Sequence, residues 1–452
     1  MFQRLLLIVV GVAIVGGLAA LAVAYLPTTT RRIAAPVSID DKLVEAGRYV
    51  AVLGDCAACH TAPGGQAFAG GLAVASPIGN IYSTNITPDR ATGIGAYSLD
   101  DFDRAVRHGI APSGGTLYPA MPYPSYAKLS DDDVAALHAF FMKSVAPVSA
   151  ADRRTEIPWP LSLRWPLALW RKAFGPTTGD GAFDAAGYKD PVIARGAYLV
   201  QGPGHCGTCH TPRAITLQEK GLDERSPTFL SGGQLIDGWV AVSLRGSVAN
   251  GLGAMSADDI VASLRTGRIT GRAVIGQPMK DVVIHSTQGM TDADLKAIAA
   301  YLKSLPPGPA GLVSYTANGM TAADLKAGKE NGRGAELYLD NCSACHHSDG
   351  KGEGATFPAI AGNPSALASD PSSLIRLILS GGAMPSTSTA PSNLGMPGFG
   401  WRLSDQEVAQ LVTFIRQSWG NAAPATDSAA VAEIRIKIDM EKAKAIGTKP
   451  LT

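Results

Sequence analysis

Every cysteine of this chain lies in one of three copies of the pattern Cys-x-x-Cys-His: Cys56-Ala57-Ala58-Cys59-His60, Cys206-Gly207-Thr208-Cys209-His210 and Cys342-Ser343-Ala344-Cys345-His346. Two thiols about one helical turn apart can each add to a vinyl group of haem, and the residue that follows then offers an imidazole to the iron. The pattern reads as the attachment site of c-type haem. Three covalent haems c are therefore expected, with His60, His210 and His346 as proximal ligands. A redox dithiol would not require the histidine, and zinc sites would need more ligands than the eight histidines conveniently supply.

The 452 residues allow two to four domains, and the spacing of the motifs suggests three small ones in series, each with a core around its haem. Acidic and basic residues nearly balance, at a formal charge of +1, which leaves no electrostatic footprint for nucleic acid and points to proteins or a membrane as partners. All cysteines are used by the motifs, so no structural disulfide is expected. From Leu5 to Leu26 the chain is uncharged and almost wholly apolar, long enough to cross a bilayer. Its length favours a retained anchor, while Ala22-Val23-Ala24 would suit cleavage of a secretory signal. Arg4 on one side and Arg31 and Arg32 on the other leave the orientation open.

The elements that must position these motifs recur with them. A segment of helical character containing a glycine precedes each motif: Gly47, Gly196 and Gly334. Well after each motif, Ser130, Thr291 and Ser404 read as helix N-caps, followed three positions on by Asp133, Asp294 and Glu407, the last completing a capping box. Val134, Leu137 and Phe141, then Leu295, Ile298 and Leu302, then Val408, Leu411 and Ile415, form one amphipathic stripe repeated three times. Phe140, Tyr301 and Phe414 stand at one offset from their caps. A middle helix is predicted to end at Gly109, Gly267 and Gly381, each suited to a left-handed C-cap. No strand-length alternation stands out, so the predicted class is all-α, with long loops around haem. Between the first two domains, Pro158, Pro160 and Pro166 argue against one continuous helix, and Trp159, Trp165 and Trp170 read either as a docking surface or as an arm packed on the protein itself.

The repeat resembles the cytochrome c domain. In that fold a glycine in the first helix lets the last helix cross closely and pack an aromatic, and a methionine from the loop before the last helix is the sixth iron ligand. Met121, Met279 and Met396 stand eight to twelve positions before their caps and are the expected ligands. Met142, Met255 and Met290 lie inside or against helices and read as core. Met384, further from its cap, is the rival in the third domain. Bis-histidine ligation is the structural alternative; His108 and His138 occupy no repeated position, His205 and His347 adjoin the proximal side, and His285 stays open.

Longer segments resemble the cytochrome c subunit of bacterial membrane-bound alcohol and aldehyde dehydrogenases of acetic acid bacteria. They include Tyr82-Ser83-Thr84-Asn85-Ile86-Thr87-Pro88, Tyr118-Pro119-Ala120-Met121-Pro122-Tyr123-Pro124, Gly202-Pro203-Gly204-His205-Cys206, Tyr301-Leu302-Lys303-Ser304-Leu305-Pro306 and Met396-Pro397-Gly398-Phe399. The resemblance implies an electron-transfer subunit between a dehydrogenase catalytic subunit and ubiquinone, on the periplasmic face of the cytoplasmic membrane, because haem is attached outside it. The catalytic subunit would be a quinoprotein or a molybdopterin and iron-sulfur type; the retained anchor and short C-terminal extension lean toward the aldehyde branch. A flavin-dependent sugar or polyol dehydrogenase is the alternative partner, and a multihaem periplasmic peroxidase the alternative activity. No dinucleotide fingerprint, hydrolase elbow or zinc-protease helix suggests a substrate-oxidising site in the chain. The expected divisions are an anchor or signal over 1–34, cytochrome c domains over 35–150, 190–308 and 331–423, linkers over 151–189 and 309–330, and a polar tail over 424–452.

Overall fold

The computed structural model describes residues 2–34, 38–176, 181–247, 251–309, 315–329 and 332–446. It divides into two compact units, one of residues 1–187 with 198–205 and one of 188–197 with 206–452. The architecture is largely helical. Four antiparallel two-stranded ribbons occur among the described residues, the longest pairing Ala73–Ser76 with Gly79–Tyr82 in the register Ala73 to Tyr82. The ribbons lie in the long connections, where strands of two to four residues carry too little alternation to be read in the sequence.

In the first unit, helix Asp41–Leu53 crosses helix Asp131–Lys143 at Gly47. A Cβ there would overlap the Ala136 carbonyl oxygen and stand 2.8 Å from Cβ of Phe140. The second unit repeats this twice. At Gly196, in helix Pro191–Gln201, a Cβ would overlap the Ala297 carbonyl oxygen and approach Cβ of Tyr301 to 2.7 Å. At Gly334, in helix Arg333–Asn341, it would stand 2.5 Å from the Gln410 carbonyl oxygen and 2.8 Å from Cβ of Phe414. Any side chain at these positions would push the helices apart, so the expected glycine and aromatic meet in all three places.

The last helices, Asp131–Lys143, Asp292–Ser304 and Asp405–Gln417, begin at the predicted caps: Ser130, Thr291 and Ser404 accept from the backbone N–H groups of Asp133, Asp294 and Glu407, and Ser404 forms the full capping box. Every residue of the three predicted stripes is buried. Each contributes about 1.5–3 kcal/mol relative to exposure, so the stripe and not helix propensity holds these helices in place. Two crossings carry the same ionic pin. Arg195 grips Asp294 through two bonds of 2.8 and 2.9 Å, and Arg333 reaches Glu407 at 2.9 Å, holding its carboxyl at about 2. The middle helices Leu99–His108 and Ala257–Thr266 end in left-handed Gly109 and Gly267. Gly381 also has a positive φ, but its ψ of -172° sends the chain into a ribbon instead of a left-handed cap.

The N-terminal helix Phe2–Tyr25 is long and apolar enough to cross a membrane. Helix Trp165–Phe174, with Pro166 in its first turn, packs beside its end, where Arg171 donates to the Thr28 hydroxyl and Lys172 to the Leu26 carbonyl. Both readings of the tryptophan arm find residues here, because Trp170 packs edge-on to Tyr123 while Trp159 is 78 % exposed. The segments read as a linker and a polar tail both contain helices, the second in keeping with its helix-compatible, mixed-charge sequence. Helix Met320–Lys326 lies in the expected 309–330 linker, of which 310–314 and 330 fall outside the described residues. The expected polar tail forms helix Ser428–Ile446, whose Val431, Ile434 and Ile438 join the core around Val408 and Leu411.

Gly47→Ala is expected to cost about 3 kcal/mol or more, at or above the upper end of ordinary overpacking. Gly187→Ala, with open space around it, is the control. Equal melting temperatures for the two variants would contradict the crossing.

Candidate haem sites

Each motif follows the first helix of its crossing pair as a short helical turn: Cys56–His60, Gly207–His210 and Ser343–His346. All three histidines are fixed in one way. Nδ1 of His60 lies 2.7 Å from the Thr84 carbonyl oxygen, Nδ1 of His210 2.7 Å from that of Val242, and Nδ1 of His346 2.9 Å from that of Pro358. A carbonyl can only accept, so Nδ1 carries the proton and Nε2 keeps the lone pair that can coordinate a metal. Burial pulls the pKa of all three rings down and so favours the neutral imidazole that ligation requires, while the same carbonyls act against that shift.

A second contact aims the carbonyl-bearing segment. The backbone N–H groups of Gly70, Gly232 and Gly352 donate to the carbonyls of His60, His210 and His346 at 2.8, 2.8 and 3.1 Å. These glycines have φ of 74°, 76° and 64°, and a Cβ on them would collide with the backbone at Thr84, Ser243 and Phe357. Reading the sequence missed both the glycines and the carbonyls. The carbonyls stand 24, 32 and 12 residues beyond their histidines, so no fixed spacing marks them.

Burial pushes the thiols of Cys56, Cys206 and Cys342 up to about 12. Two cysteines and a lone-pair imidazole in one short turn fit a covalently held haem. The expected methionines each stand half-buried in the segment before a last helix. Met121 follows Tyr118, whose carbonyl accepts from its N–H at 3.1 Å. Met279 opens the helix Met279–His285, where a loop was expected. Met396 lies in a ribbon, paired with Gly382, and packs against the core. Met290 is buried as expected of core, and the rival Met384 is buried just after the strand that pairs with Met396. His205 packs edge-on to Tyr126, and His285 ends the Met279–His285 helix.

A carbonyl-anchored histidine directly after two cysteines one helical turn apart defines a c-type cytochrome site. The cytochrome c family profile matches residues 332–419, which span the third motif and Met396. The chain is 53 % identical over 393 residues to the gluconate 2-dehydrogenase cytochrome c subunit of Pantoea cypripedii, covering 86 % of this chain and 88 % of that protein. It is 53 % identical over 393 residues to the alcohol dehydrogenase (quinone) cytochrome c subunit of Komagataeibacter europaeus, covering 86 % and 83 %. The corresponding subunit of Gluconobacter oxydans is 51 % identical over 391 residues, covering 86 % and 81 %. The chain belongs to this family of dehydrogenase cytochrome c subunits, whose members carry covalent haem c.

Gly352→Val would drive a side chain into the Phe357 carbonyl and displace the neighbouring Pro358 carbonyl from His346. A shifted reduction potential for the haem at this motif is expected in spectroelectrochemical titration. A wild-type potential would show that the carbonyl does not tune the histidine.

Proposed function

We propose that the chain is a three-haem electron-transfer subunit that takes electrons from a dehydrogenase catalytic subunit and delivers them to ubiquinone. Cys56 and Cys59, Cys206 and Cys209, and Cys342 and Cys345 would hold the haems. His60 with Met121, His210 with Met279, and His346 with Met396 would ligate the irons, in three cytochrome c modules over 35–150, 190–308 and 331–423. The observation that carries this reading is the threefold recurrence of one assembly: glycine crossing, motif turn, and Nδ1 held by a backbone carbonyl.

When bound, haem c supplies a one-electron couple at iron. The chain's own residues do the rest. The carbonyl-held imidazoles would each hold the iron with Nε2, and the methionines, soft donors that raise the potential, would be its second protein ligands. A site closed on both sides passes electrons and admits no small substrate, which favours transfer over peroxidase chemistry. The N-terminal apolar helix supports attachment to the cytoplasmic membrane, with the haem modules on the periplasmic side. The relatives named for alcohol dehydrogenase (quinone) support quinone as acceptor. The equally similar gluconate 2-dehydrogenase subunit favours a second reading, in which the partner oxidises a sugar acid. Co-purification of the detergent-solubilised chain with its catalytic subunit separates the two.

The holoprotein is expected to contain three haems per chain by pyridine haemochrome assay. Met121, Met279 and Met396 replaced singly should each remove one methionine-to-iron charge-transfer band and lower one potential. Three unchanged spectra would sink the ligand assignment, and a high-spin, peroxide-reactive haem in the isolated protein would favour the peroxidase.

The exposed Trp159, Leu161 and Leu163 lie just before a helix packed beside the end of the apolar N-terminal helix, an apolar surface suited to a membrane-soluble quinone. Trp159→Ala combined with Leu161→Ser is expected to slow quinone reduction by the intact complex, with haem content unchanged. Wild-type turnover would remove the quinone site from this arm.

A further inference from the structure

The loop 385–394 joins the two strands of the ribbon Gly382–Ala383 and Gly395–Met396, so its shape decides where Met396 stands. Gly382 pairs with Met396 and Ala383 with Gly395; the Met384 N–H donates to the Leu394 carbonyl at 2.9 Å, adding one rung. Beyond that rung the loop is Pro385-Ser386-Thr387-Ser388-Thr389-Ala390-Pro391-Ser392-Asn393, which has no large apolar side chain to bury. Its internal bonds are few: Thr387 and Ala390 exchange backbone bonds, and the Ser386 hydroxyl donates to the Pro391 carbonyl. Such a segment needs an outside constraint to hold one conformation.

That constraint comes from the segment that carries the second motif's methionine. Nη2 of Arg268 donates to the carbonyls of Pro385 at 3.3 Å, Ala390 at 3.2 Å and Ser392, touching both ends of the loop at once. Left-handed Gly267, just before it, packs so closely on the Pro385 ring that a Cβ there would collide with it. At the tip, Oε1 of Gln288 accepts from the Ser388 N–H at 3.0 Å. Arg265 donates to the carbonyls of Gln288 and Met290, both at 2.7 Å, tying Gln288 back to the helix that ends at Gly267. A guanidinium suits this task, because one planar group with several N–H donors can serve more than one carbonyl at once.

We propose that Arg268 is a positioning residue for the haem at Cys342 and Cys345: by clamping the loop 385–394 it keeps Met396 on that iron. This rests on the reading that Met396 is the sixth ligand. Because Arg268 and Met279 belong to one short stretch of chain, the clamp also links the sixth-ligand segments of two haem sites.

The test uses the full-length holoprotein with Arg268→Gln, Arg268→Lys, Gln288→Leu and, as reference, Met396→Ala. Ferric haem signals are resolved by electron paramagnetic resonance, and two quantities are read for each haem: its potential and the rate at which imidazole displaces its sixth ligand. Met396→Ala identifies the affected haem. Arg268→Gln is expected to speed imidazole capture at that same haem by about tenfold or more, the factor that a lost charge-assisted hydrogen bond corresponds to. Arg268→Lys, with a single ammonium in place of the planar fork, should fall between it and wild type. Gln288→Leu, which removes only the tip contact, should act at the same haem more weakly and gives a readout if Arg268→Gln fails to fold. If Met396→Ala alters one haem while Arg268→Gln or Gln288→Leu leaves all rates and potentials at wild type, the clamp is overturned and the ligand reading stands. If Met396→Ala alters none, the ligand reading falls and the proposal with it.

Discussion

The backbone-to-backbone contact of two helices at a glycine is the constraint on which the rest of this molecule depends. At Gly47, Gly196 and Gly334 a partner helix comes so near that a single methyl group would meet a carbonyl oxygen or stand 2.5 Å from it. Helices usually pack with axes about 8–10 Å apart because side chains intervene. With no side chain at the crossing, the aromatic one turn along, Phe140, Tyr301 or Phe414, fills the space beside it. The first helix leads directly into the motif and the last helix follows the segment of the proposed methionine ligand, so one contact fixes the motif against the start of the last helix.

The histidines show how little the protein needs to add once that frame is set. A backbone carbonyl for Nδ1 and a left-handed glycine for the histidine's own carbonyl are both main-chain devices. They cost no side chain and occur at all three motifs. Burial lowers the pKa of the three histidines and raises that of the first cysteine of each motif.

Outside the crossings, stability is supplied by contacts that cross between repeats or from segments that look dispensable. The C-terminal helix Ser428–Ile446 places Val431, Ile434 and Ile438 in the core and uses Arg435 to hold Asp405 and the carbonyls of Gly400 and Leu403. Arg268 spans from one repeat to the loop of the next.

The sequence by itself determined the cofactor chemistry, the helix starts, the buried stripes and the glycine–aromatic pairs, because each depends on residue type at fixed spacing within a helix or a repeat. Ser130, Thr291 and Ser404 were legible as caps since a hydroxyl and the N–H three residues on meet wherever a helix begins. Only the tertiary structure decided which carbonyl holds each histidine, since Thr84, Val242 and Pro358 act through main-chain atoms that every residue shares, at unequal distances along the chain. The same holds for the packing of the C-terminal helix, whose apolar residues alternate with charges from Ile434 to Met440 and mark no single face, so its buried face exists only against a particular neighbour. Local spacing writes local geometry into the sequence; a contact made by backbone atoms, or across repeats, leaves no residue type to read.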